Sequence, residues 1–320
     1  MLSRIAESLY WLGRYLERAE NVARMVHVDY LASIESGALA GQATHTWDAL
    51  IAATGAREAF MQALADGGER PAAEFLVLAR DNPNSIRSTV GLARELARTL
   101  RPHISREVWE EINTLYLSLS QRRAISDVEI YDLCGSIKRS IETVFGLYDN
   151  TVIFDEGREW FRCGLFVERA DMTTRILDTK YHLLLPAVSE VGGPLDRYQW
   201  MAILRSASAW EAFRKSGLGE ISGARVVQML LFNADFPRSV FFCVRALERH
   251  YLNATLQTPR AQRVHAQRVI ALLALDIAAS DARATIRDGL HEYLDDVQKR
   301  LIEVDHAMTD AIFRALPEAI

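Results

Sequence analysis

The residues of this chain most able to do chemistry come in two matching runs set in apolar surroundings. The first is Gly13-Arg14-Tyr15-Leu16-Glu17-Arg18-Ala19-Glu20, continuing to Arg24 and Tyr30. The second is Gly164-Leu165-Phe166-Val167-Glu168-Arg169-Ala170-Asp171, continuing to Arg175 and Tyr181 with identical spacing. A carboxylate held among guanidiniums serves one of two ends. It can line a cleft, where carboxylates act as general bases or ligands and arginines clamp an anion or a peptide. It can also sit in a dry interior as an ion network that fixes how two helices meet. Arg14, Glu17, Arg18, Glu20, Arg24, Glu168, Arg169, Asp171 and Arg175 are the candidate binding residues under the first reading. No catalytic assignment follows from them, and both readings stay open on sequence alone.

Both runs must lie on helices. Ile5, Leu9, Leu12, Leu16, Ala19, Ala23, Val26 and Tyr30 step by four and three, which gathers them on one face. Trp11, Tyr15, Val22 and Met25 cover much of the other side, so this helix is expected in the interior. Trp160, Cys163, Val167, Ala170, Leu177 and Tyr181 repeat the pattern, with Phe161, Leu165, Phe166, Met172 and Ile176 around the rest. Between the apolar faces runs a narrow stripe, Gly13, Glu17, Glu20 and Arg24, matched by Gly164, Glu168, Asp171 and Arg175. Glu20 precedes Arg24 by four residues, as Asp171 precedes Arg175, the favourable order for a helical pair. Arg18 and Arg169 point about 100° away from the preceding glutamates and must find partners elsewhere. Symmetric packing would bring Glu17 to Arg169 or Arg175 and Glu168 to Arg18 or Arg24, with the glycines allowing close approach.

The repetition extends further. Trp47-Asp48-Ala49-Leu50 followed by Ala56-Arg57-Glu58-Ala59-Phe60 matches Trp200-Met201-Ala202-Ile203 followed by Ala209-Trp210-Glu211-Ala212-Phe213. Asp81-Asn82-Pro83-Asn84-Ser85-Ile86 matches Asp235-Phe236-Pro237-Arg238-Ser239-Val240. Three matches in one order predict an all-α, multi-helix bundle of two duplicated, pseudo-two-fold-related halves, 1–152 and 153–320, in one body or two lobes. Ten to twelve helices and little or no sheet are expected. Pro83 and Pro237 suit a first helical turn, and Ser126 with Glu129 reads as a capping box. Breaks are expected at Gly67-Gly68, Arg101-Pro102, Pro186, Gly192-Gly193-Pro194, Gly217 to Gly219, and Pro259.

Composition narrows the function. The 320 residues carry a net charge of -5, and their basic residues are scattered, which argues against a nucleic-acid footprint. No apolar stretch reaches the length of a membrane span, and the charged N-terminal run is unlike a signal peptide. Cys134, Cys163 and Cys243 form no CxxC, so a reduced, cytoplasmic setting is expected. Nucleotide-binding glycine loops, the GxSxG elbow and HExxH are absent. Only Glu303-Val304-Asp305-His306 has a di-metal bundle spacing, so neither a metal nor a cofactor is expected. Cys163 reads as an inert buried thiol and His250 as a packing residue.

With its opening Met1-Leu2-Ser3-Arg4-Ile5-Ala6-Glu7-Ser8-Leu9-Tyr10-Trp11-Leu12-Gly13-Arg14-Tyr15, its two Glu-Arg pairs, and Asp81-Asn82-Pro83-Asn84-Ser85, the chain resembles the bacterial alpha-E family. That family consists of all-helical proteins named for the Glu-Arg motif, with no firmly assigned activity. The resemblance implies companionship with a circularly permuted ATP-grasp-type ligase and a transglutaminase-like protein, a system that makes or breaks amide bonds on peptides. The expected function is therefore a helical partner of such a ligase that binds the partner or a peptide through its polar stripe. Two alternatives stand beside it: an acyl or aminoacyl transferase using Glu17 or Glu168 as general base, and a scaffold or oligomer held by an ion network.

Overall fold

The computed structural model describes residues 1–36, 44–65, 71–182, 191–217 and 219–314. Fourteen α-helices and no strand occur among them. They are α1 (Ser3–Ser36), α2 (Thr44–Ala53), α3 (Arg57–Ala65), α4 (Ala72–Leu78), α5 (Ile86–Thr99), α6 (Arg106–Ser120), α7 (Asp127–Thr151), α8 (Glu156–His182), α9 (Pro194–Ser206), α10 (Trp210–Lys215), α11 (Gly223–Val227), α12 (Val240–Ala254), α13 (Arg260–Ala279) and α14 (Ala282–Met308). The count exceeds ten to twelve because α3, α4, α10 and α11 are short pieces of 9, 7, 6 and 5 residues, too brief for periodicity to register. The expected breaks at Gly67-Gly68 and Pro186, part of that at Gly217 to Gly219, and the side chain of Tyr181 lie outside the described residues.

α1 and α8 run through the middle, as helices apolar on most of their circumference must. α1 packs on α5, α7, α8 and α9, while α8 packs on α12, α14, α1 and α2. Leu9, Leu12, Leu16 and Ala19 of α1 and Trp160, Phe161, Cys163 and Leu165 of α8 have no exposed surface and belong to one continuous core. Phe161 stacks on Tyr148 of α7 with ring centres 3.9 Å apart.

The two central helices touch at their glycines. A methyl group added at Gly13 would stand 2.2 Å from the Phe161 carbonyl oxygen, and one at Gly164 would stand 1.9 Å from that of Tyr10. No residue with a Cβ fits either position without moving a helix.

Side-chain caps set several helix starts. Ser85 accepts the Ser88 amide at α5, Ser239 accepts that of Phe242 at α12, and Ser126 with Glu129 forms the capping box of α7. Pro83 and Pro237 do not occupy first helical turns. They sit in the turns just before Ser85 and Ser239, where Asn82 Oδ1 accepts the Asn84 amide and Asn233 Oδ1 accepts those of Asp235 and Phe236. These asparagine turns form ahead of the serine caps and delay each helix by a few residues. No helix among the described residues is long and apolar enough to cross a membrane.

Candidate functional site

The crossing of α1 and α8 places both Glu-Arg pairs face to face. Glu17 meets Arg169 as a two-pronged pair, Nε to Oε1 and Nη2 to Oε2, each 2.8 Å. Glu168 receives the matching prongs from Arg18, with Nη2 3.0 Å from Oε2. Each guanidinium that cannot reach its chain neighbour therefore serves the glutamate of the other helix. Fork-on-fork geometry makes these the strong, directional kind of ion pair.

Additional partners complete each centre. Around Glu17, Arg238 gives Nη1 to Oε1 at 2.9 Å and Nη2 to Glu20 Oε2 at 3.1 Å. Asn21 Nδ2 also reaches Glu17 Oε1 at 3.0 Å. Arg24 grips Glu20 through Nε at 3.1 Å and through Nη2. Around Glu168, Arg14 gives Nε to Oε2 at 2.9 Å and Nη1 to Asp305 at 2.8 Å. Tyr10 donates its hydroxyl to the same Asp305 oxygen, and Arg18 Nη1 donates to Asn84 Oδ1 at 3.1 Å. Asp171 and Arg175 pair along the helix at 2.8 Å.

Glu17, Glu20 and Glu168 have no exposed surface, and Arg24 exposes 2 %. Burial pushes the Glu17 carboxyl up, but Arg169 and Arg238 outweigh it and hold the group well below the usual carboxylate range. Burial also opposes Glu168, which Arg18 and Arg14 keep lowered. Burial pushes Arg238 down to about 10, with Arg169 acting in the same direction against the attraction of Glu17. Burial and Arg238 lower Arg24. A general base works best with a pKa near the operating pH and a lone pair aimed at substrate. These glutamates have neither, because guanidiniums take up their oxygens.

All nine candidate residues lie along this crossing, on α1 and α8. Periodicity missed Arg238, Asn84, Asp305, Tyr10 and Asn21. Arg238 and Asn84 had a signal, since they occupy matching places in the two Asp-x-Pro-x-Ser segments. A cavity of about 540 Å³ lies between Glu220–Gln228 and Asp281–Arg283. Another, of about 50 Å³, is lined by Ala49, Ala52, Ala53, Arg175, Asp178, Thr179 and Gln298. Neither is lined by Glu17, Glu20 or Glu168. Among the described residues no three His, Cys, Asp or Glu side chains gather as a metal site, and Glu303 and His306 are exposed. Cys134, Cys163 and Cys243 are buried and unpaired. His250 Nδ1 pairs with Glu159 at 2.7 Å.

Two crossed interior helices locked by reciprocal Glu-Arg pairs define an all-helical protein organised around that motif. The chain belongs to the Alpha-E family, described as "a predicted alpha-helical domain with a conserved ER motif", whose model matches residues 1–313. It is also similar to an uncharacterised protein of Mycobacterium bovis and to uncharacterised proteins from two strains of Mycobacterium tuberculosis. Each is 24% identical over 267 residues, covering 76% of this chain and 29% of the relative. The chain thus spans under a third of the length of these relatives. No solved structure matches it.

Proposed function

We propose that this protein is a non-catalytic helical partner of an ATP-grasp-type amide ligase acting on peptides, working in the cytoplasm. The Glu-Arg motif serves it from within by fixing the register of α1 and α8, and the partner or peptide docks on the surfaces those helices organise. The observation that carries this reading is the saturation of Glu17, Glu20 and Glu168 by guanidiniums in a core without exposure. A buried, fully paired network specifies an arrangement more than it performs chemistry. Partnership is supported by the family resemblance, and by relatives in which the matched region is 29% of a longer chain, so that a similar unit is joined there to much further polypeptide.

The reading includes an origin by duplication, with 1–152 and 153–320 as related halves. It is supported by the reciprocal forks, the facing glycines, the two serine caps after Asp-x-Pro-x-Ser, and the matched surroundings of α1 (α5, α7, α9) and α8 (α12, α14, α2). The test is to mix the full chain with a purified ATP-grasp-type ligase and follow both complex formation and ligase turnover. A complex at micromolar concentration, or a change in turnover, is expected. Absence of both at high micromolar concentration overturns the proposal, as does peptide-directed turnover by the isolated protein that is lost in a folded Glu168→Gln variant.

A further inference from the structure

The cavity of about 540 Å³ between α11 and the start of α14 lies away from the Glu-Arg crossing. Its volume falls in the range of about 300–1,000 Å³ in which proteins enclose small ligands. Three pieces of chain wall it. The turn before α11 brings Glu220 and Ser222, α11 and the π-helical turn that continues it (Gln228–Phe232) bring Arg225 and Gln228, and the start of α14 brings Asp281 and Arg283. Met229, Leu230 and Leu231 next to Gln228 are buried, as are Ala282 and Thr285 on either side of Arg283, so both helical walls are anchored in the interior. Such π-helical turns are rare and occur often at functional sites.

The polar groups of these walls are placed but not used up. Arg225 Nη1 donates to the Glu220 carbonyl at 2.7 Å and lies 3.1 Å from where a Cβ at Gly219 would stand, a residue with φ of +81°. Among the described residues Nε and Nη2 of Arg225 have no acceptor. Asp281 Oδ1 accepts the Arg283 and Ala284 amides at 3.0 and 2.9 Å, and its Oδ2 has no donor among those residues. Ser222 holds the N-cap position of α11 without capping it. The side chains of Glu220, Ser222, Gln228 and Arg283 likewise have no hydrogen-bond partner among the described residues. Two carboxylates, Glu220 and Asp281, thus share the cavity with two guanidiniums, Arg225 and Arg283, and no ion pair forms among the four. At the crossing the acids and bases are spent on one another, whereas here opposite charges line one space and stay apart.

We propose that this cavity binds a short peptide by its two charged ends. The terminal carboxylate pairs with the guanidiniums of Arg225 and Arg283, and the terminal ammonium with Glu220 and Asp281. Ser222 and Gln228, each both donor and acceptor, serve the peptide group between them. A net-neutral lining with its charges kept apart suits a zwitterion, since an anion alone would also meet both carboxylates and a cation alone both guanidiniums. The proposal deepens the function given above, and the choice of a peptide among zwitterions rests on that reading.

Calorimetric titration of the full chain at pH 7 with alanyl-alanine, and separately with N-acetyl-alanyl-alanine, alanyl-alanine amide and free alanine, tests this. Saturable one-site binding of alanyl-alanine is expected, at least tenfold tighter than that of either blocked peptide or of alanine, which has no peptide group. Glu220 and Arg283 are exposed, so Glu220→Gln and Arg283→Gln should melt as the wild type does. Each should weaken alanyl-alanine at least tenfold, and Lys299→Gln, elsewhere on α14, should leave it unchanged. No saturable heat from alanyl-alanine, equal binding of the blocked peptides, or undiminished binding in both variants overturns the site, and alanine binding as tightly overturns the peptide as its ligand. Complex formation with the ligase is followed in parallel. A complex without peptide binding removes this site alone, and peptide binding without a complex removes the partnership alone.

Discussion

The Glu17 and Glu168 centres start from the same motif and end with different electrostatics. At Glu168 the two arginines, Arg14 and Arg18, are balanced by Glu168 and by Asp305 of α14. At Glu17 the third element brings another cation, Arg238, so that three guanidiniums pair directly with two carboxylates, and Glu142 of α7 also acts on Arg24. The position that separates them precedes the serine cap, Arg238 before Ser239 and Asn84 before Ser85. Asn84 accepts from Arg18 Nη1 at 3.1 Å and donates to the Thr54 carbonyl at 3.1 Å, so it binds the neighbouring arginine without adding charge. One crossing thus carries two differently paired locks, which differ at the loop position of Arg238 and Asn84 and also in Arg14 and Asp305, which have no counterpart at Glu17.

Removing a carboxylate strains this comparison most. Glu17→Gln leaves Arg169 without a carboxylate and Arg24 and Arg238 sharing Glu20, and should cost about 5 kcal/mol, whereas Glu168→Gln leaves Arg18 without a carboxylate and Arg14 on Asp305 alone, and should cost about 3 kcal/mol. Urea unfolding of both variants measures the difference, and equal losses would mean that the extra charge at Glu17 has no energetic consequence. Next comes the crossing itself. Gly164→Ala places a methyl group inside the Tyr10 carbonyl, so α1 and α8 must separate and both centres loosen together, at about 3 kcal/mol. The same unfolding assay reads it, and a neutral result would disconnect the glycines from the locks.

Acid titration probes the smallest effect. Glu17 and Glu168 both have carboxyls lowered by folding. Their stabilisation is therefore complete above the unfolded pKa near 4.3 and declines as pH falls below it toward the folded values. Together they should remove about 1 kcal/mol between pH 6 and pH 4. Comparing melts of the wild type with Glu17→Gln over that range isolates one group's share, and an unchanged acid slope in the variant would remove Glu17 from the account.

Much of the interior architecture could be read in the chain because it is written locally. The steps of four and three that bury α1 and α8, the helical pairs Glu20–Arg24 and Asp171–Arg175, and the capping box at Ser126 each depend on residues within a turn or two. The close approach at Gly13 and Gly164 was legible too, since small residues on facing stripes allow it. Periodicity left Glu17 a choice between Arg169 and Arg175, and the crossing settles it on Arg169. The prolines were misplaced by three residues because asparagine turns, rather than the proline rings, set where α5 and α12 begin.

The sequence by itself determined that charge would be carried inward on two apolar rods, because helical spacing assigns each side chain to a face before any tertiary contact forms. The tertiary structure decided which charges meet and whether they balance. Asp305 and Arg238 come from segments far along the chain, and their distances to Arg14 and Glu17 depend on how α14 and the turn before α12 pack, which local spacing does not encode. Charge balance in a dry interior is a property of neighbours in space, and folding alone chooses them.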